Sequence, residues 1–234
     1  MTEVEERNRK RIARRQVDKF GERRDQLAAA ALATLAEQGY ANTSLRDIAQ
    51  HSQFSHGVLH YYFADKFELI MYCVRQYKAE CVTRYDSIVA TAVGADQLRR
   101  GFGAAMAATL AEDAALHRLW YDLRNQSLFD EKFRADVTDI DQSLERMIWR
   151  IVARFGELSA ASLAVTPALA YALLDGVFQH ALLRQLGGDH AAAAGLDADI
   201  QQVLPTLLAR LSRGGGHGSE IFSPSCEAVN PSDS

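Results

Sequence analysis

At 234 residues, with 48% hydrophobic and 24% charged side chains, the chain has the make-up of an ordinary globular protein with enough length to bury a core. No apolar run approaches the ~20 residues of a bilayer span, and the charged N-terminus is unlike a secretion signal. Little strand pattern and only four prolines make the expected class all-α, and three cysteines without metal-pair spacing (Cys73, Cys81, Cys226) suit a reduced, cytoplasmic protein.

The net charge of −4 hides an asymmetry. Residues 7–66 hold 11 Lys/Arg against 6 Asp/Glu, a balance of +5 that leaves −9 on the remainder. A basic head on an acidic body suits a protein that docks one end onto phosphate. The positive charge is densest over 7–24. Residues 1–21 read as a basic flexible arm, either solvated or reaching the minor groove beside a DNA site.

A first helix is expected over Glu22–Gln38, with Leu27, Ala31 and Leu35 as its buried stripe and Gly39 as its stop. Ser44 caps a second, helped by Asp47 in the first turn, and Leu45, Ile48 and Ala49 form its inward face. Ser55 caps a third, with Leu59 and Phe63 inward and Phe54 in the hinge. Asp65 and Glu68 make a capping pair for a fourth. Helix, short turn, helix is the arrangement that lays the second helix in a DNA major groove. Ser55, His56, Gly57 and Val58 then face base edges, with His60 and Tyr61 one turn on. His56 and His60 also have a metal-ligand spacing, but no Glu follows His56 and no third ligand is evident. DNA contact is the expectation, with no metal and no cofactor.

Ser44-Leu45-Arg46-Asp47-Ile48-Ala49, Phe54-Ser55-His56-Gly57, Leu59-His60-Tyr61-Tyr62-Phe63 and Lys66 resemble the N-terminal domain of the tetracycline-repressor (TetR) family. That resemblance implies an all-helical bacterial transcription regulator, a homodimer with a DNA-binding head (22–66) and a ligand-binding and dimerisation body (67–211). It assigns phosphate clamping to Thr43, Arg46, Tyr62 and Lys66, with the helix N-terminus at Ser44 adding backbone donors. The sequence departs from the family at Gln53, His56, Val58 and His60, which implies an unusual operator. Gln53 stands where the family has Gly. Either it accepts a left-handed conformation at roughly 1–2 kcal/mol, or the turn is built differently.

In the body, a long helix is expected from Asp65 to Thr91 along the stripe Leu69, Ile70, Cys73, Tyr77 and Cys81. Helices over about 96–110, 113–127 and 130–155 follow, about nine in all. Phe102, Met106, Trp120, Tyr121, Trp149 and Phe178 are candidates to line a ligand cavity, with His117 and Asp122 among the polar groups that fix a ligand. Aromatics beside Asp122 or Asp175 would suit a cation. Thr166-Pro167 starts a helix that Gly187-Gly188 stop. Leu169, Leu173, Gly176, His180 and Leu183 form one apolar face of it; Tyr171, Leu174, Phe178 and Leu182 form another. After an alanine-rich linker, Asp197 caps a last helix carrying Ile200, Val203, Leu204, Leu207 and Leu211. Two such helices from each of two chains make a four-helix dimer interface. Residues 212–234, rich in Gly, Ser and Pro, read as a disordered tail.

No phosphate loop, nucleophile elbow or paired-carboxylate signature appears, so an enzyme is not expected. The reading that remains is a ligand-responsive repressor of a pseudo-palindromic operator, with double-stranded DNA, a small-molecule effector and a second copy as partners and no membrane. The alternatives are an architectural DNA-binding protein and an all-helical enzyme.

Overall fold

In the computed structural model, which describes residues 3–209, the chain folds into nine α-helices and one 3₁₀ turn, without a strand among the described residues. The first, α1, spans Glu3–Gln38 and so begins well upstream of the expected Glu22. Glu3, Glu5 and Glu6 precede Arg7, Arg9 and Lys10 by four residues, the spacing and order that support a helix lacking an apolar face. The stretch expected as a flexible arm is therefore helical from Glu3 onward. The side chains of residues 3–5 and 7–17, and all of 210–234 with Leu211, Cys226 and the tail, lie outside the described residues.

Three short-range elements follow: α2 (Leu45–Gln50), α3 (His56–Tyr62) and α4 (Lys66–Cys81). Each is capped as the sequence suggests. Ser44 and Asp47 form a complete capping box, Ser55 accepts the Val58 N–H, and Asp65 accepts the Glu68 N–H. Gln53 needs no left-handed backbone, since Ala160 is the one described non-glycine residue with positive φ. The turn instead closes with Ser52 Oγ accepting the Phe54 N–H at 3.2 Å.

Leu27, Ala31 and Leu35 of α1 meet Ile48, Leu59 and Phe63, all buried, to form the head's core. Arg24 stitches its edge: the guanidinium bonds Glu68 at 2.7 Å and lies 4.6 Å and 4.5 Å from the ring centres of Phe63 and Tyr72. Phe63→Ala would empty the joint between α1, α3 and α4. It is expected to cost about 3–5 kcal/mol in denaturant unfolding.

The expected long helix over 65–91 is broken. The chain turns at Val82–Tyr85 before α5 (Asp86–Thr91), because Tyr85 folds inward onto Phe102, 5.2 Å between ring centres. Helices 96–110 and 113–127 are one element, α6 (Ala95–Gln126), with a non-helical residue at Asp113, close to the expected division. A 3₁₀ turn (Glu131–Phe133) leads into α7 (Arg134–Leu158), and α8 spans Pro167–Leu186 with Thr166 as its cap. The alanine-rich linker is helical, so α9 runs Ala192–Thr206 and Asp197 is interior rather than a cap. In the body, α6 packs against α9 and α7 against α8; α1 packs on α4 and on α6, joining head to body.

Candidate functional site

The outer face of α2 and α3 carries Arg46, Ser55, His56, Gly57, His60 and Tyr61, all exposed. Tyr61 is 74% exposed. The His56 and His60 rings meet edge to face with centres 4.4 Å apart, so they form one imidazole surface on the face that α3 would present to a groove. Val58 is half-buried against the head core, and Tyr62 stacks on Phe20 at 4.7 Å.

Two of the expected clamping groups are engaged within the protein. Thr43 is buried and its hydroxyl donates to the Gly39 carbonyl at 2.7 Å, which fastens the end of α1 and takes it out of the phosphate-facing set. Ser44 gives both its N–H and its hydroxyl to Asp47, and these bonds hold the Asp47 carboxyl below its ordinary range. Neither of those donors is left for a phosphate. Lys66 donates one hydrogen to the Tyr40 carbonyl at 2.8 Å and sits 4.2 Å from the Tyr40 ring centre. Desolvation, then Lys132 nearby, lowers its pKa. An ammonium has three donors, so Lys66 keeps capacity for a phosphate.

The body holds a cavity of about 60 Å³ between its helices. Helix α4 supplies Lys78 and Cys81, and Tyr85 comes from the following turn. Helix α6 supplies Met106, Thr109, His117, Trp120 and Tyr121, α7 Leu144, Met147 and Ile148, and α8 Tyr171, Leu174, Asp175 and Phe178. Of the expected lining residues, Met106, His117, Trp120, Tyr121 and Phe178 are present. Phe102 is fully buried behind the wall, against Tyr85. Trp149 is on the side of α7 away from the lining set, half-buried. Asp122 faces the head instead. The residue missed that matters most is Lys78.

Polar groups enter the cavity in two different conditions. Asp175 is compensated: Tyr121 donates to it at 2.9 Å and Arg124 pairs with it at 2.5 Å. Arg124 also pairs with Asp141 at 3.2 Å, and Asp141 accepts the Tyr171 hydroxyl at 2.6 Å. Lys78 is in a different condition: it is 4% exposed and no carboxylate lies within ion-pair distance of it among the described residues. Its polar neighbour is His117 Nδ1 at 3.5 Å, with the Trp120 ring centre 5.2 Å from its ammonium. Burial brings the Lys78 pKa down to about 8. Burial, then Lys78, then Arg84 hold His117 well below the usual imidazole range, so its ring is neutral. A neutral ring that accepts from Lys78 at Nδ1 donates from Nε2, where the Tyr77 oxygen lies at 3.1 Å. Tyr77 in turn donates to Asp113 at 3.1 Å, the non-helical residue of α6. Asp113 is also paired with Arg84 at 2.8 Å. The hydrogen bonds thus run in one direction, from Lys78 to the break in α6.

Helix α6 also reaches the head. One residue beyond Tyr121, Asp122 Oδ2 accepts the Tyr40 N–H at 2.9 Å. Arg118 donates to the carbonyls of Ala36 and Glu37, at 2.6 Å and 2.9 Å, which closes the C-terminus of α1. Cavity-lining and head-contacting side chains therefore alternate along one turn.

The expected dimer residues divide. On α8, Leu169, Leu173, Gly176, His180 and Leu183 are exposed together, with Leu183 at 64%. On α9, Ile200, Leu204 and Leu207 are buried in the protein's own core, because α9 turns its apolar stripe onto α6 and α8. Val203 is half-buried against that core. The part of the α9 surface left for a partner is instead a stripe of small side chains with one polar group: Ala194, Ala198, Gln202 and Pro205.

Residues 27–73 match the family model described as bacterial regulatory proteins, tetR family. No match is found among curated proteins. Solved structures share the fold over most of the chain. A putative TetR-family transcriptional regulator from Rhodococcus sp. superposes with a TM-score of 0.65 at 16% identity, covering 81% of this chain and 100% of that one. A putative transcriptional regulator from Saccharomonospora viridis in complex with choline has a TM-score of 0.67 at 17% identity, covering 81% and 100%. The transcriptional regulator FadR from Bacillus subtilis in complex with stearoyl-CoA has 0.64 at 16%, covering 76% and 96%.

Proposed function

We propose, on the premise that this chain is a tetR-family transcriptional regulator with its DNA-binding domain at residues 27–73, that it acts as a homodimeric, ligand-released repressor in the cytoplasm. The observation that carries this reading is the double duty of α6, whose side chains line a cavity and hold the end of α1 within one turn. A molecule in the cavity acts on DNA affinity only by favouring one arrangement of that turn over another. The exposed leucine face of α8 supports dimerisation, and a two-fold dimer requires a pseudo-palindromic operator. A cavity of about 60 Å³ is well below the ~300 Å³ of a typical ligand site, so an effector has to spread its walls. That supplies the differential binding energy. The ligands named in the two complexes differ in charge, size and shape, so they support a ligand-bearing body without choosing its ligand.

Selection of bound sequences from random DNA, with sedimentation of the free protein, tests this. The expected result is a dimer at micromolar concentration and a site with two related halves. A monomer, or bound sequences without half-site symmetry, would remove the reading in favour of an architectural role. Within the head, Arg46→Ala is expected to weaken binding to all sequences alike and to make the salt dependence shallower by about one counterion. His56→Ala and His60→Ala are expected to change preference at particular base positions, each by roughly 1–3 kcal/mol. Competition binding against single-base variants of the selected site separates the two behaviours.

A further inference from the structure

Lys78 stands in the cavity wall without a counterion among the described residues, while Asp175 in the same wall has one in Arg124 and a second donor in the Tyr121 hydroxyl. A buried ammonium is costly unless paired, and evolution rarely leaves one there without use. We infer that the effector is an apolar molecule bearing a carboxylate, and that Lys78 is the group that receives it. This rests on the reading of the cavity as an effector site.

Three observations point the same way. Lys78 is the one residue that lines both this cavity and a neighbouring cleft of about 320 Å³ between α4 and α7, so a ligand entering by either meets the same residue. Its single polar contact among the described residues, His117 Nδ1 at 3.5 Å, is long, so at least two of its three hydrogens have no partner among them. The indole N–H of Trp120, in the same wall and 1% exposed, is also without a partner. An unused cation and an unused neutral donor in one apolar chamber suit an acceptor-only anionic group.

The other charges nearby do not compete for that anion or repel it strongly. Asp175 and Asp141 are held by Arg124 and by tyrosine hydroxyls, and Asp113 by Arg84. In the neighbouring cleft Asp136 is paired with Arg75, and Asp139, the other carboxylate there, is exposed to solvent, which screens it. The expectation of a cationic ligand, drawn from aromatics beside Asp122 or Asp175, is the one the geometry disfavours. Asp122 is outside the cavity, Asp175 is already compensated, and a second cation would lie in the same small chamber as Lys78.

The test uses full-length protein and matched head groups on two apolar bodies: octanoate, octanol and octylammonium, and phenylbutyrate, phenylbutanol and phenylbutylammonium. Binding is read by calorimetry and by quenching of Trp120 fluorescence in a Trp149→Phe background. The carboxylate of at least one series is expected to bind roughly tenfold or more tighter than its alcohol, with the ammonium weakest. In Lys78→Met that carboxylate-to-alcohol ratio is expected to fall to about one while the alcohol still binds. Should Lys78→Met fail to fold, the order of the three head groups on the wild-type protein decides alone. Ammonium binding as tight as carboxylate, or a ratio that Lys78→Met leaves unchanged, overturns the inference. If only the alcohols bind, the effector-site reading stands and the anionic inference falls. If no member of either series binds at millimolar concentration, both fall together.

Discussion

Lys78→Met is expected to stabilise the free protein at pH 7, by roughly 3 kcal/mol if the whole cost of the buried charge is recovered. Burial lowers the Lys78 pKa from 10.5 to about 8, and each unit of such a shift corresponds to about 1.4 kcal/mol. The sign follows from which state holds the proton. Between pH 8 and 10.5 the unfolded chain keeps the Lys78 proton and the folded chain releases it, so stability rises with pH across that window. Below pH 8 both states are protonated and the penalty is complete. Methionine has a similar length and no charge, so the variant lacks both the penalty and its pH dependence.

Other groups titrate in the same range with the opposite effect. Burial pushes the Cys73 thiol and the Tyr85 hydroxyl up to about 12, so each loses stability as the unfolded chain ionises, above pH 9 and 10 respectively. Wild type and variant share them. The measurement is therefore the difference in denaturant unfolding free energy between the two proteins at pH 7, 8, 9 and 10. The gap is expected to be widest at pH 7–8 and to narrow upward. A variant less stable than wild type at pH 7, or a gap that does not close, would mean Lys78 has a counterion after all. On the acid side, His117 is depressed mainly by burial, so stability is lost as pH falls below 6.5 and the unfolded imidazole takes its proton. A stabilising substitution at a cavity-lining position is the trade expected where a site is kept strained for binding.

Much of this was legible in the sequence where local chemistry decides the outcome. The caps at Ser44, Ser55, Asp65 and Thr166, and the stripe Leu27–Ala31–Leu35, depend on residues within one or two turns and were read correctly. What failed depends on partners distant in sequence. Nothing within ten residues of Asp122 says that it will meet the Tyr40 N–H, 82 positions away. The stripe on α9 was correctly found as apolar, but periodicity cannot say whether an apolar face meets its own core or another chain; here it meets α6 and α8. The upstream part of α1 was lost for the opposite reason. A helix made of charged residues has no apolar period, and only its i, i+4 charge spacing announces it. Lys78 had a usable signal. It continues the buried series Val74, Tyr77 and Cys81 at helical spacing, and a lone cation on such a face calls for either a counterion or a ligand.

Asp122→Ala combined with Arg118→Ala is expected to sever ligand from DNA while leaving both binding activities in place. Trp120 and Tyr121 contribute to the cavity wall, and Asp122 Oδ2 holds the Tyr40 N–H at 2.9 Å where α1 ends. That junction has little freedom. Gly39 sits at φ +76°, and a Cβ there would lie 3.3 Å from the same carboxylate oxygen. A ligand that spreads the cavity walls is expected to displace this turn of α6, and its two attachments, Asp122 to Tyr40 and Arg118 to the α1 carbonyls, would transmit the displacement to the head. Coupling between two sites is commonly 5- to 150-fold in affinity, and by linkage the operator weakens effector binding by the factor with which effector weakens operator binding. In Asp122→Ala combined with Arg118→Ala that factor is expected to approach one. Asp122→Asn keeps an oxygen acceptor for the Tyr40 N–H and is expected to retain most of it. The measurement is operator affinity by fluorescence anisotropy, with and without a saturating carboxylate from the head-group series, on wild type and the two variants. An unchanged coupling factor in Asp122→Ala/Arg118→Ala would place the route from cavity to head elsewhere, along α4, whose Lys78 and Lys66 lie at the cavity and at the head on a single rigid helix.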